Sequence, residues 1–124
     1  MRNKVPTDSD RLEHIADAID AIQIFTINIT KEEFLLDEKI QSAVLFQFII
    51  IGEAVANLSL EILEKYPYTW HKPRSFRNYI AHEYFEIKMW MVWNAIVEQL
   101  PELKALITDM RNQLTDSVNP NPGI

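Results

Sequence analysis

Residues 89–114 read MWMVWNAIVEQLPELKALITDMRNQL. Within them Met89, Trp93, Ile96, Leu100, Leu103, Ile107, Met110 and Leu114 recur at intervals of 4, 3, 4, 3, 4, 3 and 4. That spacing keeps one face of an α-helix apolar along the whole stretch. The phase runs straight through Pro101, so the segment is one kinked helix or two helices in register, with Pro101 placing the kink.

The same reading extends towards the N-terminus. Leu12, Ile15, Ile19 and Ile22 recur at 3, 4 and 3, after Asp8, Ser9 and Asp10, any of which can cap a helix. This first helix is expected to end near Ile24 or Thr26, and the β-branched run from Phe25 to Thr30 reads as a helix end and a loop. Thr30 with Glu33 forms a capping box that starts a short turn through Leu36. Asp37 caps a second long helix, about Glu38 to Leu58. Ser59 caps a short one ending near Tyr66. Pro67 and Pro73 bracket a loop before a helix over Arg74–His82. The expected fold is all-α, an antiparallel bundle of about five helices.

In the second long helix Ala43–Ile51 is apolar nearly all round. A membrane span needs about 20 such residues, and Gln47 and Glu53 interrupt this one. A helix buried on several sides fits better, and an apolar face left over in so small a domain points to a second subunit. Gly52, inside that helix, costs about 1 kcal/mol against alanine, which points to another backbone passing close by.

The chain has 124 residues, 48% hydrophobic and 24% charged. That fits a single globular domain, taken as residues 1–114, with a polar tail over 115–124 expected to be disordered. No cysteine is present, so disulfides and thiolate metal sites are excluded. With Gly52 and Gly123 the only glycines, a glycine-rich phosphate loop is excluded too. His14 and His71 have no partners at metal-ligand spacing. The first residues, MRNKVPTDSD, hold no apolar signal core, and a cytoplasmic location is expected.

Net charge is −6, yet Lys65–His82 holds Lys65, Lys72, Arg74 and Arg77 and no acid. Tyr66, Tyr68, Trp70, Phe76 and Tyr79 share the stretch, a basic and aromatic island in an acidic protein. Lys72 and Arg74 are candidate contacts to an RNA backbone.

At the end of the island and just past it, Arg77-Asn78-Tyr79-Ile80-Ala81-His82-Glu83-Tyr84 is the segment that could carry chemistry. Metal-free cleavage of RNA must take a proton from the 2′-hydroxyl and return one to the leaving 5′-oxygen. Histidine suits the proton work. Arginine suits the phosphate, where its planar fork binds oxygens bidentately. Arg77 and His82 supply one of each. Five residues of ideal helix leave their side chains about 140° apart, so convergence needs the helix to end near His82. Asn78, four residues before His82, could then hold the imidazole. R-x4-H alone also occurs in helices where the histidine binds a backbone carbonyl and the arginine is a surface cation. Glu53 can hold Arg77 or Asn78, or serve as a cap or an interface salt bridge. Trp90 and Trp93 read as core or interface residues.

With these residues in place, the chain resembles the HepT-like ribonuclease toxins of the HEPN superfamily. Arg77, His82 and Tyr84 match the family's R-x4-H-x-Y signature. Ile51-Gly52-Glu53-Ala54 resembles its I-G-E-A stretch, Val92-Trp93 its V-W pair and Leu100-Pro101-Glu102-Leu103 its L-P-E-L stretch. Trp70 stands seven residues before the motif arginine, as in many members. The resemblance covers about residues 10–112. Glu83 departs from it, standing where many members have Gly.

The resemblance implies a homodimeric HEPN-like bundle with both motifs lining a cleft. It also implies a metal-independent endoribonuclease with no cofactor, catalytic through Arg77 and His82 and supported by Asn78 and Glu53. Such a chain is the toxin of a type VII-like toxin–antitoxin pair, neutralised by a minimal nucleotidyltransferase antitoxin that in some members adds AMP to the motif tyrosine, here Tyr84. The alternative is a catalytically idle HEPN dimer that binds a nucleotide or the nucleotidyltransferase in the same cleft, which the acidic net charge and Glu83 favour.

Overall fold

The computed structural model describes residues 5–118, with side chains through residue 115. In chain order the elements are α1 (Asp8–Thr26), α2 (Lys31–Leu36), α3 (Glu38–Ala56), α4 (Leu60–Lys65), α5 (His71–His82), a 3₁₀ turn at Tyr84–Glu86, α6 (Met89–Asn94), a π-turn at Ala95–Gln99 and α7 (Leu100–Val118). The fold is all-α, and the described residues contain no strand.

Local chemistry sets most of the helix starts. At α2 the Thr30 hydroxyl accepts from the Glu33 N–H and the Glu33 carboxylate accepts from the Thr30 N–H. Asp37 caps α3 by accepting from the Ile40 N–H at 3.1 Å, and Ser59 caps α4. The cap of α1 is Thr7, in a reciprocal pair with Asp10, one residue before the expected ones. Asp8 is engaged elsewhere. Its carboxylate accepts from the N–H and the hydroxyl of Ser59 at 2.9 and 2.6 Å, which ties the start of α1 to the start of α4. Between α1 and α2, Asn28 takes the left-handed backbone (φ 60°) that a short polar side chain tolerates.

α5 begins at His71, three residues before the expected Arg74. Pro73 therefore lies inside its first turn, where a missing N–H costs nothing because that N–H has no intrahelical acceptor. Pro101 is accommodated in another way. The path is helical without a break from Met89 to Val118, and the turn just before Pro101 widens to a π-turn in which the Leu100 N–H donates to the Ala95 carbonyl. The wider turn makes room for a ring that would otherwise press on the Val97 carbonyl. α7 runs on to Val118, past the expected boundary at Thr115, and residues 119–124 of the expected tail lie outside the described residues.

The core joins Leu12, Ile15, Ile19 and Ile22 of α1, Val44, Phe48, Ile51 and Val55 of α3, and Leu100, Leu103, Ile107 and Met110 of α7. Arg111 pairs with Glu13 at 2.7 Å, and Lys104 lies near Asp20 at 3.6 Å and donates to Gln23 at 2.7 Å. Numbers fall along one helix as they rise along the other, so α1 and α7 are antiparallel. α3 packs between α1 and α5. Its burial is one-sided: Val44, Phe48 and Ile51 are enclosed, Leu45, Ile49 and Ile50 are half-buried and Phe46 is exposed.

Candidate active site

α5 closes directly on α3 at Gly52. A β-carbon there would stand 2.8 Å from the Pro73 carbonyl oxygen and 2.9 Å from Arg77 Cγ, which is why the position holds glycine. The close backbone expected from the sequence is that of α5 at Pro73, with the stem of Arg77 beside it. The next residue of α3 then receives its head: an Arg77 guanidinium nitrogen lies 2.9 Å from Glu53 Oε2, and another donates to Asn78 Oδ1 at 3.0 Å. Gly52, Glu53, Arg77 and Asn78 form one unit. Asn78 serves Arg77 and makes no bond to His82; the adjacent guanidinium offers a charge-assisted hydrogen bond, the stronger kind.

His82 is the last residue of α5, and the Glu83 N–H caps the helix by donating to the Tyr79 carbonyl at 2.8 Å. His82 is exposed and makes no hydrogen bond or ion pair among the described residues, and none joins it to Arg77. Beyond it, Tyr79 accepts from the Lys88 N–H at 2.9 Å and fastens the 83–88 segment to α5. Nothing in the local spacing marks Tyr79 for this role, because its partner sits nine residues on, across a non-helical turn. Tyr84 opens the 3₁₀ turn, 67% exposed, edge-on to Phe85, and lines a groove of about 330 Å³ with Phe46 and Ile49 of α3 and Ile80 of α5.

Lys72 and Arg74 are exposed on the first half of α5 and make no ion pair among the described residues. The aromatic island is divided. Tyr66 and Trp70 are buried, with Trp70 Nε1 donating to the Tyr66 carbonyl and the Tyr66 hydroxyl donating to Gln113. Phe76 and Tyr79 are half-buried, their rings nearly parallel at 6.2 Å. Burial, and then the nearby Glu102 carboxylate, raise the Tyr68 phenol above its ordinary pKa and keep it neutral. Trp93 packs on Phe34 at 5.4 Å, whereas Trp90 is exposed. No three His, Cys, Asp or Glu side chains gather at metal-ligand distances among the described residues.

An all-α bundle with the arginine of an R-x4-H-x-Y segment seated on a glycine and a glutamate of the central helix defines a HEPN-type domain. The Ribonuclease HepT-like family matches residues 15–110, and the chain belongs to that family. It is 34% identical over 114 residues to a protein of Methanocaldococcus jannaschii named "Putative RNase", covering 88% of this chain and 91% of the relative. It is 36% identical over 103 residues to the "Probable ribonuclease HepT" of Thermococcus cleftensis, covering 82% and 94%. A third relative, "Gamma-glutamylcyclotransferase and putative RNase" from M. jannaschii, is 30% identical over 109 residues, 87% of this chain, which spans about half (49%) of that longer protein. No solved structure matches the chain.

Proposed function

We propose that this chain is a metal-independent endoribonuclease acting through Arg77 and His82, the toxin of a toxin–antitoxin pair. The observation that carries the reading is Arg77, fixed by Gly52 and Glu53 on a helix that ends at a free His82, in a chain of the HepT-like family. α5 ends at His82, which releases that side chain from the offset of about 140° that an ideal helix would impose, and a cleft between two copies would bring a histidine and an arginine to one phosphate. The exposed apolar face of α3 supports such a homodimer.

At that site His82 takes the proton of the RNA 2′-hydroxyl. The 2′-oxygen bonds to phosphorus, the bond from phosphorus to the 5′-oxygen breaks, and the proton taken up is returned to the leaving oxygen. Arg77 faces the charge that gathers on the phosphate oxygens. The products are a 2′,3′-cyclic phosphate and a 5′-hydroxyl. Neutralisation falls to a nucleotidyltransferase that transfers AMP from ATP to the Tyr84 oxygen, breaking the α–β phosphoanhydride bond and releasing pyrophosphate and the phenol proton; Tyr84 is 67% exposed.

The test is cleavage of RNA by the purified chain with and without EDTA, beside His82→Ala. Cyclic phosphate ends, no effect of chelator and loss of cutting in His82→Ala are expected. Ends bearing 5′-phosphate, or loss of cutting in EDTA, would overturn the reading. The idle-dimer alternative draws on Glu53, which already neutralises Arg77 at 2.9 Å; it predicts intact RNA beside wild-type and variant alike.

A further inference from the structure

A second groove lies between α5 and the stretch formed by α6 and the π-turn. It measures about 470 Å³ and is bordered by His71, Lys72, Phe76 and Tyr79 of α5, Met91 of α6 and Gln99 of the π-turn. That volume is of the size that takes a small organic ligand, about 300–1,000 Å³. Its lining contains no acid, although the chain has 18. A smaller apolar pocket shares Lys72, Phe76 and Gln99 with it and also lacks one. Three other grooves each carry a carboxylate: Glu38 in the one beside Tyr84, Asp8 and Glu61 in the one beside Ser59, and Asp20 in the one beside Lys104. An anionic occupant is therefore matched to this groove, where Lys72 has no carboxylate partner among the described residues; the groove beside Lys104 and Arg111 also holds cations, but Asp20 and Glu13 pair with them.

Its walls also fit a planar, partly polar ring. Phe76 is held in place edge-on to Phe48 at 4.9 Å and runs nearly parallel to Tyr79. The Gln99 amide makes no hydrogen bond among the described residues and can offer a donor and an acceptor to a base edge. Helix geometry relates the groove to the chemistry. Ser75, another lining residue, precedes His82 by seven residues on α5, which returns the side chain to within about 20° of the same direction. The groove and His82 share one face of α5.

Resting on the ribonuclease reading, we propose that this groove seats one nucleotide of the RNA strand next to the cut, its base against Phe76, Tyr79 and Met91, its edge read by Gln99 and its phosphate on Lys72. RNA lying along this face with its scissile phosphate at His82 passes over the groove on its way to the start of α5.

The probe is a short single-stranded 2′-O-methyl RNA, which cannot be cut through its 2′-oxygen, with binding to the full chain read by fluorescence anisotropy. Ser75→Trp fills the mouth of the groove from an exposed position, and thermal melting confirms that it folds. It should weaken binding about tenfold or more. Lys72→Gln should lower the slope of log affinity against log salt by about 0.7. An abasic nucleotide at the position facing the groove should weaken wild-type binding and make no difference to Ser75→Trp. Normal RNA affinity in folded Ser75→Trp would overturn the inference and assign the groove to a protein contact or to no ligand, while RNA cutting by the wild type would leave the ribonuclease reading standing. Groove-dependent binding without any cutting would do the reverse.

Discussion

The Arg77 and Glu53 side chains are 36% and 51% exposed, and an ion pair in such a setting contributes about 0–1 kcal/mol to stability. Its value lies in position. Glu53 holds a side chain that would otherwise sweep through many rotamers, so Glu53→Ala should change stability by less than about 1 kcal/mol while lowering cleavage by about ten- to a hundredfold. Thermal melts beside initial cleavage rates separate the two effects. Equal loss in both would assign Glu53 a purely structural role. Tyr84 makes a second case at this scale. Its hydroxyl is bonded to nothing among the described residues and most of its ring is exposed. AMP added there brings a phosphodiester charge that competes with RNA for Arg77 and a bulk that blocks the cleft. Mass spectrometry of the chain co-expressed with the proposed nucleotidyltransferase partner should show whole AMP increments, absent in Tyr84→Phe. An unmodified yet neutralised chain would mean inhibition by binding alone.

Between elements, the contact of α3 with α5 is the one on which the site depends. Gly52 lets the two helices meet with the Pro73 carbonyl and the Arg77 stem against bare backbone. Gly52→Ala gains about 1 kcal/mol of helix propensity but crowds a carbonyl that cannot rotate away, at a cost of about 1–3 kcal/mol. The expected outcome is a net loss of about 1 kcal/mol in denaturant unfolding together with reduced cleavage, because Arg77 is pushed outward. A more stable and fully active variant would show that α5 shifts freely. The π-turn works at the same scale. It keeps Leu100, Leu103, Ile107 and Met110 on the core face past a proline, and it is also what presents Gln99 beside α5.

For the whole molecule, the question is what covers α3. Phe46 is 60%, Tyr84 67%, Phe85 95% and Trp90 50% exposed. Phe46 and Tyr84 border one groove, and a monomer seldom leaves so much aromatic surface open. A homodimer that buries this face would bring together two copies of the α5 end. Sedimentation equilibrium at micromolar concentration should give twice the 14.5 kDa chain mass, and Phe46→Asp should give monomers that no longer cut RNA. A wild-type monomer would remove the dimer cleft and with it the convergence of Arg77 and His82.

Helix positions were legible in the sequence because their causes are local. The Thr30–Glu33 box and the Asp37 and Ser59 caps act over three residues, and the stripe from Met89 to Leu114 follows from helical periodicity alone. The close approach at Gly52 could be foreseen as well, since a glycine in a helix needs a reason. Which side chains meet was settled by tertiary structure. Asp8 left the capping of α1 to Thr7 because Ser59, 51 residues away, offers its carboxylate two donors. Glu53 took Arg77, and Arg77 in turn drew Asn78 from His82. The groove beside α5 exists only where α6 and the π-turn bring Met91 and Gln99 against it. In each case groups distant in the chain compete for the same atoms, and that competition is decided only when the helices have packed.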